Sequence, residues 1–255
     1  MTFISSLASI VLIMVDLSQR QLKILKTVVE ENIQTGQPVG SDTLDKKYNL
    51  GISPATIRNE MVGLEKKGFL VKPHTSAGRL PTSPALKVYI QQLMKEKQLS
   101  VADEVASKEK IWDVRHELGK LLSEAVKILA KKTSSLAIAT TNMGDTYHSG
   151  YSNLLVLPEF YDIDVARTVL SIIEDCTLMN KIFSKVIGDE SVHVLLGTDV
   201  EMEYLEPCGM VFADFDSSST KGSIGVIGPS RFDYPWVIPN VRYFGKLINE
   251  VLKNW

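Results

Sequence analysis

Cysteine is scarce in this chain. Cys176 and Cys208 are its two cysteines in 255 residues, so no disulfide framework and no paired zinc spacing can be built, and a reducing, cytoplasmic setting is the expectation. Long apolar runs are lacking too. The uncharged stretch Ile10-Val11-Leu12-Ile13-Met14-Val15 falls short of the roughly 20 residues needed to cross a bilayer. No basic residue precedes it and no small-residue cleavage site follows, which argues against a signal peptide. Residues 1–15 then read either as a start-site artefact or tail, with translation beginning at Met14, or as a membrane-associated tail. An excess of positive charge is also absent, the net charge being −2, which by itself does not suggest nucleic acid. The distribution is uneven, however. Residues 16–99 carry 13 Lys or Arg against 8 Asp or Glu, and residues 100–255 carry 15 against 22. That asymmetry points to an anionic partner for the first part, with chance placement on solvated faces as the plain alternative. What the chain does have is ordinary globular composition, 44% hydrophobic and 23% charged, enough for two small cores.

In residues 17–33, Leu22, Leu25, Val28, Val29 and Ile33 recur at helical spacing until Thr35-Gly36-Gln37-Pro38 breaks the pattern. Ser41 can cap a short second helix carrying Leu44 and Tyr48, and Asn49-Leu50-Gly51-Ile52 supplies the turn after it. A third helix then starts with Ser53 as N-cap and Pro54 at its first position, and stops at Gly68. Ile57, Met61 and Leu64 share one stripe of it, so Ala55, Thr56, Asn59 and Val62 project from the far side with Arg58 beside them. Arg and Asn make paired hydrogen bonds to guanine and adenine edges, and Thr and Ala methyls suit the thymine methyl. A short helix, a tight turn and a second helix with such an amino-terminal end form a helix-turn-helix. The alternative is an ordinary capped surface helix. Residues 69–72 and 80–82 read as two strands around His74-Thr75-Ser76-Ala77-Gly78-Arg79, a wing whose Gly78 permits close backbone approach and whose His74 and Arg79 can meet phosphate or a minor groove. Pro81 implies an edge strand.

The stretches Leu17-Ser18-Gln19-Arg20-Gln21, Gly36-Gln37-Pro38-Val39-Gly40-Ser41, Leu50-Gly51-Ile52-Ser53-Pro54-Ala55-Thr56-Ile57-Arg58-Asn59 and Pro73-His74-Thr75-Ser76-Ala77-Gly78-Arg79-Leu80-Pro81-Thr82 resemble the signatures of the HrcA family of heat-inducible transcription repressors. Further on, Asn153-Leu154-Leu155 with Pro158-Glu159-Phe160, and residues 225–234, are similar to later family segments, with Phe232 where the family commonly has Met. The resemblance implies a repressor of heat-shock genes that binds double-stranded DNA as a homodimer, at the inverted repeat called CIRCE, with the chaperonin GroEL keeping it active. Candidate DNA contacts are Ser41, Thr43, Ser53, Ala55, Thr56, Arg58, Asn59, His74, Thr75, Ser76 and Arg79. The family's second domain is similar to a GAF fold and usually carries an inserted dimerising domain before the Asn-Leu-Leu segment. This chain has only residues 140–146 there, so a dimer must use another surface, such as the helix expected over residues 111–129 or the sheet edge.

Residues 83–93 suggest another helix, and the charged stretch 95–110 a hinge or exposed helical linker. Ile111, Val114, Leu118, Leu121, Leu122, Ala125 and Leu129 predict one helix of about five turns, packed on its own domain or forming a dimer seam. Beyond residue 134, strands are expected at 136–139, 192–196, 210–213 and 224–227, with helices at 165–186 and 236–252. The expected class is therefore α+β, a winged helix-turn-helix domain over 16–95, a linker over 96–110 and a GAF-like domain over 111–255. His148, His193, Cys208, Asp214, Asp216, Arg231 and Asp233 fall into no metal-binding or nucleophile-base spacing, so no enzyme, metal or cofactor is expected. Arg231 and Asp233 read as stabilising the turn before the last helix. Two alternatives stay open: a small-molecule effector in the GAF-like domain, or a protein-binding module or enzyme that retains an inactive winged helix.

Overall fold

In the computed structural model Ser18 opens the first helix with a reciprocal cap: its Oγ accepts from the Gln21 amide at 3.2 Å, and the Gln21 side chain accepts from the Ser18 amide. The structure describes residues 16–75, 77–184, 191–217 and 220–253. The readings of residues 1–15 lie outside the described residues. The chain divides into two compact units at Lys95 and Glu96.

The first unit contains α1 (Gln19–Thr35), α2 (Ser41–Tyr48), α3 (Pro54–Lys66), a hairpin of β1 (Leu70–Val71) and β2 (Leu80–Pro81), and α4 (Ser83–Val88), which continues as a π-helical turn through Leu93. Gly36 ends α1 at φ 67°, the left-handed conformation that closes helix carbonyls. Its core is built from Leu25, Val28, Leu44, Ile57, Met61 and Leu64, all at 0% exposure. Buried Glu31 ties α2 to α1 by accepting from Lys47 Nζ and Tyr48 Oη, each at 2.6 Å. These hydrogen bonds, that of Lys47 first, hold its carboxyl below the usual glutamate range. One correction concerns Ser41, which is not the cap of α2. Gly40 occupies that position without a side-chain bond, and Ser41 is the first helical residue, buried.

The second unit begins with α5 (Val101–Asp113) and α6 (Leu118–Thr133). Of the two readings of residues 95–110, hinge or exposed helical linker, the helical one describes most of the stretch, although Ser107 and Ile111 of α5 are buried. The single helix expected across residues 111–129 is broken at 114–117. The Arg115 guanidinium donates to the Trp112 carbonyl at 2.7 Å and lies 4.9 Å over the Trp112 ring, using the carbonyl that a continuing helix would need. Then follow β3 (Leu136–Thr141), β4 (Thr146–Ser149), α7 (Tyr151–Leu155), α8 (Ile163–Glu174), α9 (Cys176–Phe183), β5 (His193–Leu196), β6 (Cys208–Asp216), β7 (Lys221–Pro229) and α10 (Tyr234–Leu252). One antiparallel sheet of order β4-β3-β7-β6-β5 results. Leu136, Ile138, Met210, Phe212 and Ile227 pack on α8 and α9 from one face. The alternate residues face α6 and α10, where Gly245 leaves room for Ala213, a Cβ at that glycine lying 2.8 Å from it. The helix expected over 165–186 is divided at Asp175, whose side chain caps α9 by accepting from the Leu178 amide at 3.0 Å.

Pro239 lies inside α10 and cannot donate to the carbonyl of Pro235. That carbonyl accepts instead from the Lys97 amide at 2.8 Å. Around it Arg242 makes a two-pronged pair with Glu96, at 2.5 and 2.8 Å, and Lys97 Nζ meets Asp233 at 2.6 Å. The first residues of the second unit are thereby fastened to its last helix.

Candidate nucleic-acid interface

The amino-terminal end of α3 is built as its sequence suggests. Ser53 Oγ accepts from the Thr56 amide at 3.2 Å, and the two hydroxyls lie 2.9 Å apart. Pro54 follows the cap, and Ile57, Met61 and Leu64 are wholly buried. Ala55, Arg58 and Asn59 are exposed, and neither Arg58 nor Asn59 has a partner among the described residues. Thr56 is half-buried with its hydroxyl engaged by Ser53. On α2, Thr43 is exposed whereas Ser41 is buried. His74 and Thr75 are exposed at the hairpin tip, and Ser76 lies outside the described residues.

Arg79 and Gly78 do other work. Arg79 Nε donates to Glu65 at 2.9 Å, with its side chain only 12% exposed. Its backbone exchanges two hydrogen bonds with Val39, both 2.9 Å. A Cβ on Gly78 would sit 2.5 Å from the Val39 backbone, so the close approach this glycine permits is to its own chain. Together they fix the hairpin base against the α1–α2 connection and the end of α3.

Lys46, Lys66 and Lys72 were not singled out by the sequence. All three are exposed cations without a partner among the described residues. The Lys46-Lys47 pair was a visible signal, but only the fold shows that Lys47 is spent on Glu31 while Lys46 is free. The acidic groups of this unit are largely paired within it: Glu30 with Lys26, Glu31 with Lys47, Glu60 with Arg20 and Glu65 with Arg79. The free charge left on its surface is mostly positive, which suits a polyanion.

The second unit offers no comparable chemistry. Among the described residues no group of His, Cys, Asp and Glu could hold a metal ion, and no helix is long and apolar enough to cross a membrane. Asp214 accepts from Ser223 Oγ at 2.6 Å and faces His193 Nε2 at 3.4 Å, which, with the serine bond, holds its carboxyl low. The carboxylate stands between the hydroxyl and the imidazole, the reverse of an activated nucleophile. It reads as a brace across β5, β6 and β7. Arg231 binds Glu159 with both prongs, at 2.5 and 3.1 Å, and Asp233 binds Lys97, so these two anchor the turn to more distant segments than the sequence suggested.

A family model of the HrcA protein C-terminal domain matches residues 81–238. The chain is 26% identical over 339 aligned positions to the heat-inducible transcription repressor HrcA of Carboxydothermus hydrogenoformans, covering 93% of this chain and 99% of that protein. It is 27% identical over 338 positions to the protein of that name from Pelotomaculum thermopropionicum, covering 93% and 97%. Both alignments exceed the 255 residues of this chain, so these relatives carry residues that it lacks. The crystal structure of a hypothetical protein superposes with a TM-score of 0.78 at 19% identity, covering 93% of this chain and 99% of the other, a likeness of fold. With its mixed helical and sheet architecture and a family match across more than half its length, the chain belongs to the HrcA family.

Proposed function

We propose that this protein represses heat-shock genes by binding an inverted-repeat operator of the CIRCE type as two copies, with the first unit acting as a winged helix and the second as a GAF-like domain. The observation that carries this is the exposed pair Arg58 and Asn59, without partners among the described residues, next to the capped start of α3. That is where a recognition helix presents side chains to base edges. Ala55 adds a methyl contact, Thr43 and the free Lys46 and Lys72 meet phosphate, and His74 and Thr75 reach from the hairpin tip. Ser53 and Thr56 serve through the cap, and Arg79 by positioning the hairpin. GroEL is the partner that the resemblance implies for control of activity. The small-molecule alternative has little room between the sheet and α8–α9, where Phe183, Phe212, Met179 and Met210 fill the core.

Fluorescence-anisotropy binding to a CIRCE inverted repeat and to a scrambled duplex of equal length, across a salt series, tests the proposal. Preference for the repeat that persists near physiological salt, with two chains per duplex, is the expected result. Equal and steeply salt-dependent binding to both duplexes would overturn it.

A further inference from the structure

Five large apolar side chains in one stretch of the second unit remain open to solvent: Tyr151 at 36%, Leu155 at 56%, Val156 at 69%, and Tyr161 and Ile163 at 71% each. Tyr151 and Leu155 lie four residues apart on α7 and share a face. The Tyr161 hydroxyl donates to the Val156 carbonyl at 3.4 Å, joining the second half of the stretch to the first. With aromatic side chains contributing about 150–250 Å² each when fully buried, the exposed apolar area is on the order of several hundred Å², the upper end of what a monomer leaves uncovered. It is also a large part of the ~800 Å² that each partner gives to a stable interface.

The patch adjoins a sheet edge with no strand beyond it among the described residues. β4 is the outermost strand beyond β3, and Gly150 leads from it directly into α7. Edge strands are ordinarily guarded by lysine, inward charge or proline. Residues 146–157 contain no Asp, Glu, Lys, Arg or Pro, in a chain that is 23% charged. Depletion of charge is the compositional mark of an interface centre. It also means that the edge meets its own copy without like-charge repulsion. A two-fold axis brings the same surface of two molecules together, so one copy supplies both the strand and the apolar cover the other lacks.

We infer that the β4 edge with the Tyr151, Leu155, Val156, Tyr161 and Ile163 patch is the interface between two copies of this chain, the two β4 strands running antiparallel and each patch closing over the other. This rests on the two-copy repressor reading, whose dimer it locates. The rival surface, a groove of about 680 Å³ lined by Val105, Lys108, Glu109, Trp112, Asp113 and Glu250, is rimmed by mixed charge.

The test is sedimentation velocity of the full chain without DNA, with a circular-dichroism melt of each variant to establish folding. The wild type should sediment as two chains, and so should Val105→Glu in the rival groove. Leu155→Glu and Tyr161→Glu, each at an exposed position, should sediment as one chain that still melts cooperatively, at a temperature lowered only by the loss of association. A wild type of one chain, or variants that stay paired, would overturn the inference, as would loss of the dimer in Val105→Glu alone. The two ideas fail separately. A DNA-free dimer without operator preference removes the repressor reading and leaves the interface, whereas operator preference by a chain that is monomeric without DNA removes the interface alone.

Discussion

Arg58 and Arg79 put the same guanidinium to opposite uses. Arg79 is spent inside the protein on Glu65, whereas Arg58, beside Asn59, has no partner among the described residues. Arg58→Ala and Asn59→Ala should each lose about 1–3 kcal/mol of discrimination between operator and scrambled duplex, read as the ratio of dissociation constants. Arg79→Ala should lower the melting temperature, by about 1 kcal/mol of stability, and weaken binding to both duplexes alike. Nothing local distinguishes the two arginines in the sequence, because Glu65 and Val39 reach Arg79 only through the fold. Glu31 adds a pH signature. Its folded carboxyl titrates below the ordinary 4.5, so its stabilisation is complete above that value and is lost as pH falls through the lowered one. Melts recorded at successively lower pH should show this loss in the wild type, and Glu31→Gln should lack that component while being less stable at neutral pH. Cys208 is buried and its thiol pushed up to about 12 by that burial, while Cys176 is partly exposed. Iodoacetamide followed by peptide mass spectrometry should label Cys176 in the native protein and Cys208 only after unfolding.

The helix ends with chemical markers were partly legible in the sequence: Ser53 caps α3 as expected and Gly36 ends α1 where the apolar pattern breaks, whereas the Ser18 cap of α1 was not singled out. Apolar spacing alone was a poorer guide. Ile111, Val114, Leu118 and Leu121 keep step across the 114–117 break, because two successive helices can press the same stripe on one core while the chain turns between them. The division at Asp175 hid in the same way, its carboxylate being a capping group only once Leu178 presents its amide. Asp175→Ala should cost about 1 kcal/mol in chemical denaturation. β4 was missed because Thr146-Tyr147-His148-Ser149 is short and polar, without the alternation by which strands are recognised.

For the whole molecule, a net charge of −2 conceals a basic first unit joined to an acidic second one. Internal pairing leaves that difference unchanged, since it takes up one cation for each carboxylate, and it leaves few unpaired carboxylates among the described residues of the first unit. Salt should reveal this. Lys72→Ala should flatten the dependence of operator affinity on salt by about one counterion, which the preference for operator over scrambled duplex does not require and should not follow. The clasp of Glu96 and Lys97 onto α10 bears on the molecule's biosynthesis. A chain leaves the ribosome from its amino terminus, and domains generally fold as they emerge. The residues that open the second unit find their partners, the Pro235 carbonyl, Asp233 and Arg242, only when the last helix has been made. The first unit, residues 16–95, has by then long been made. For that interval each nascent chain holds a finished first unit while its second unit still awaits the helix that closes it.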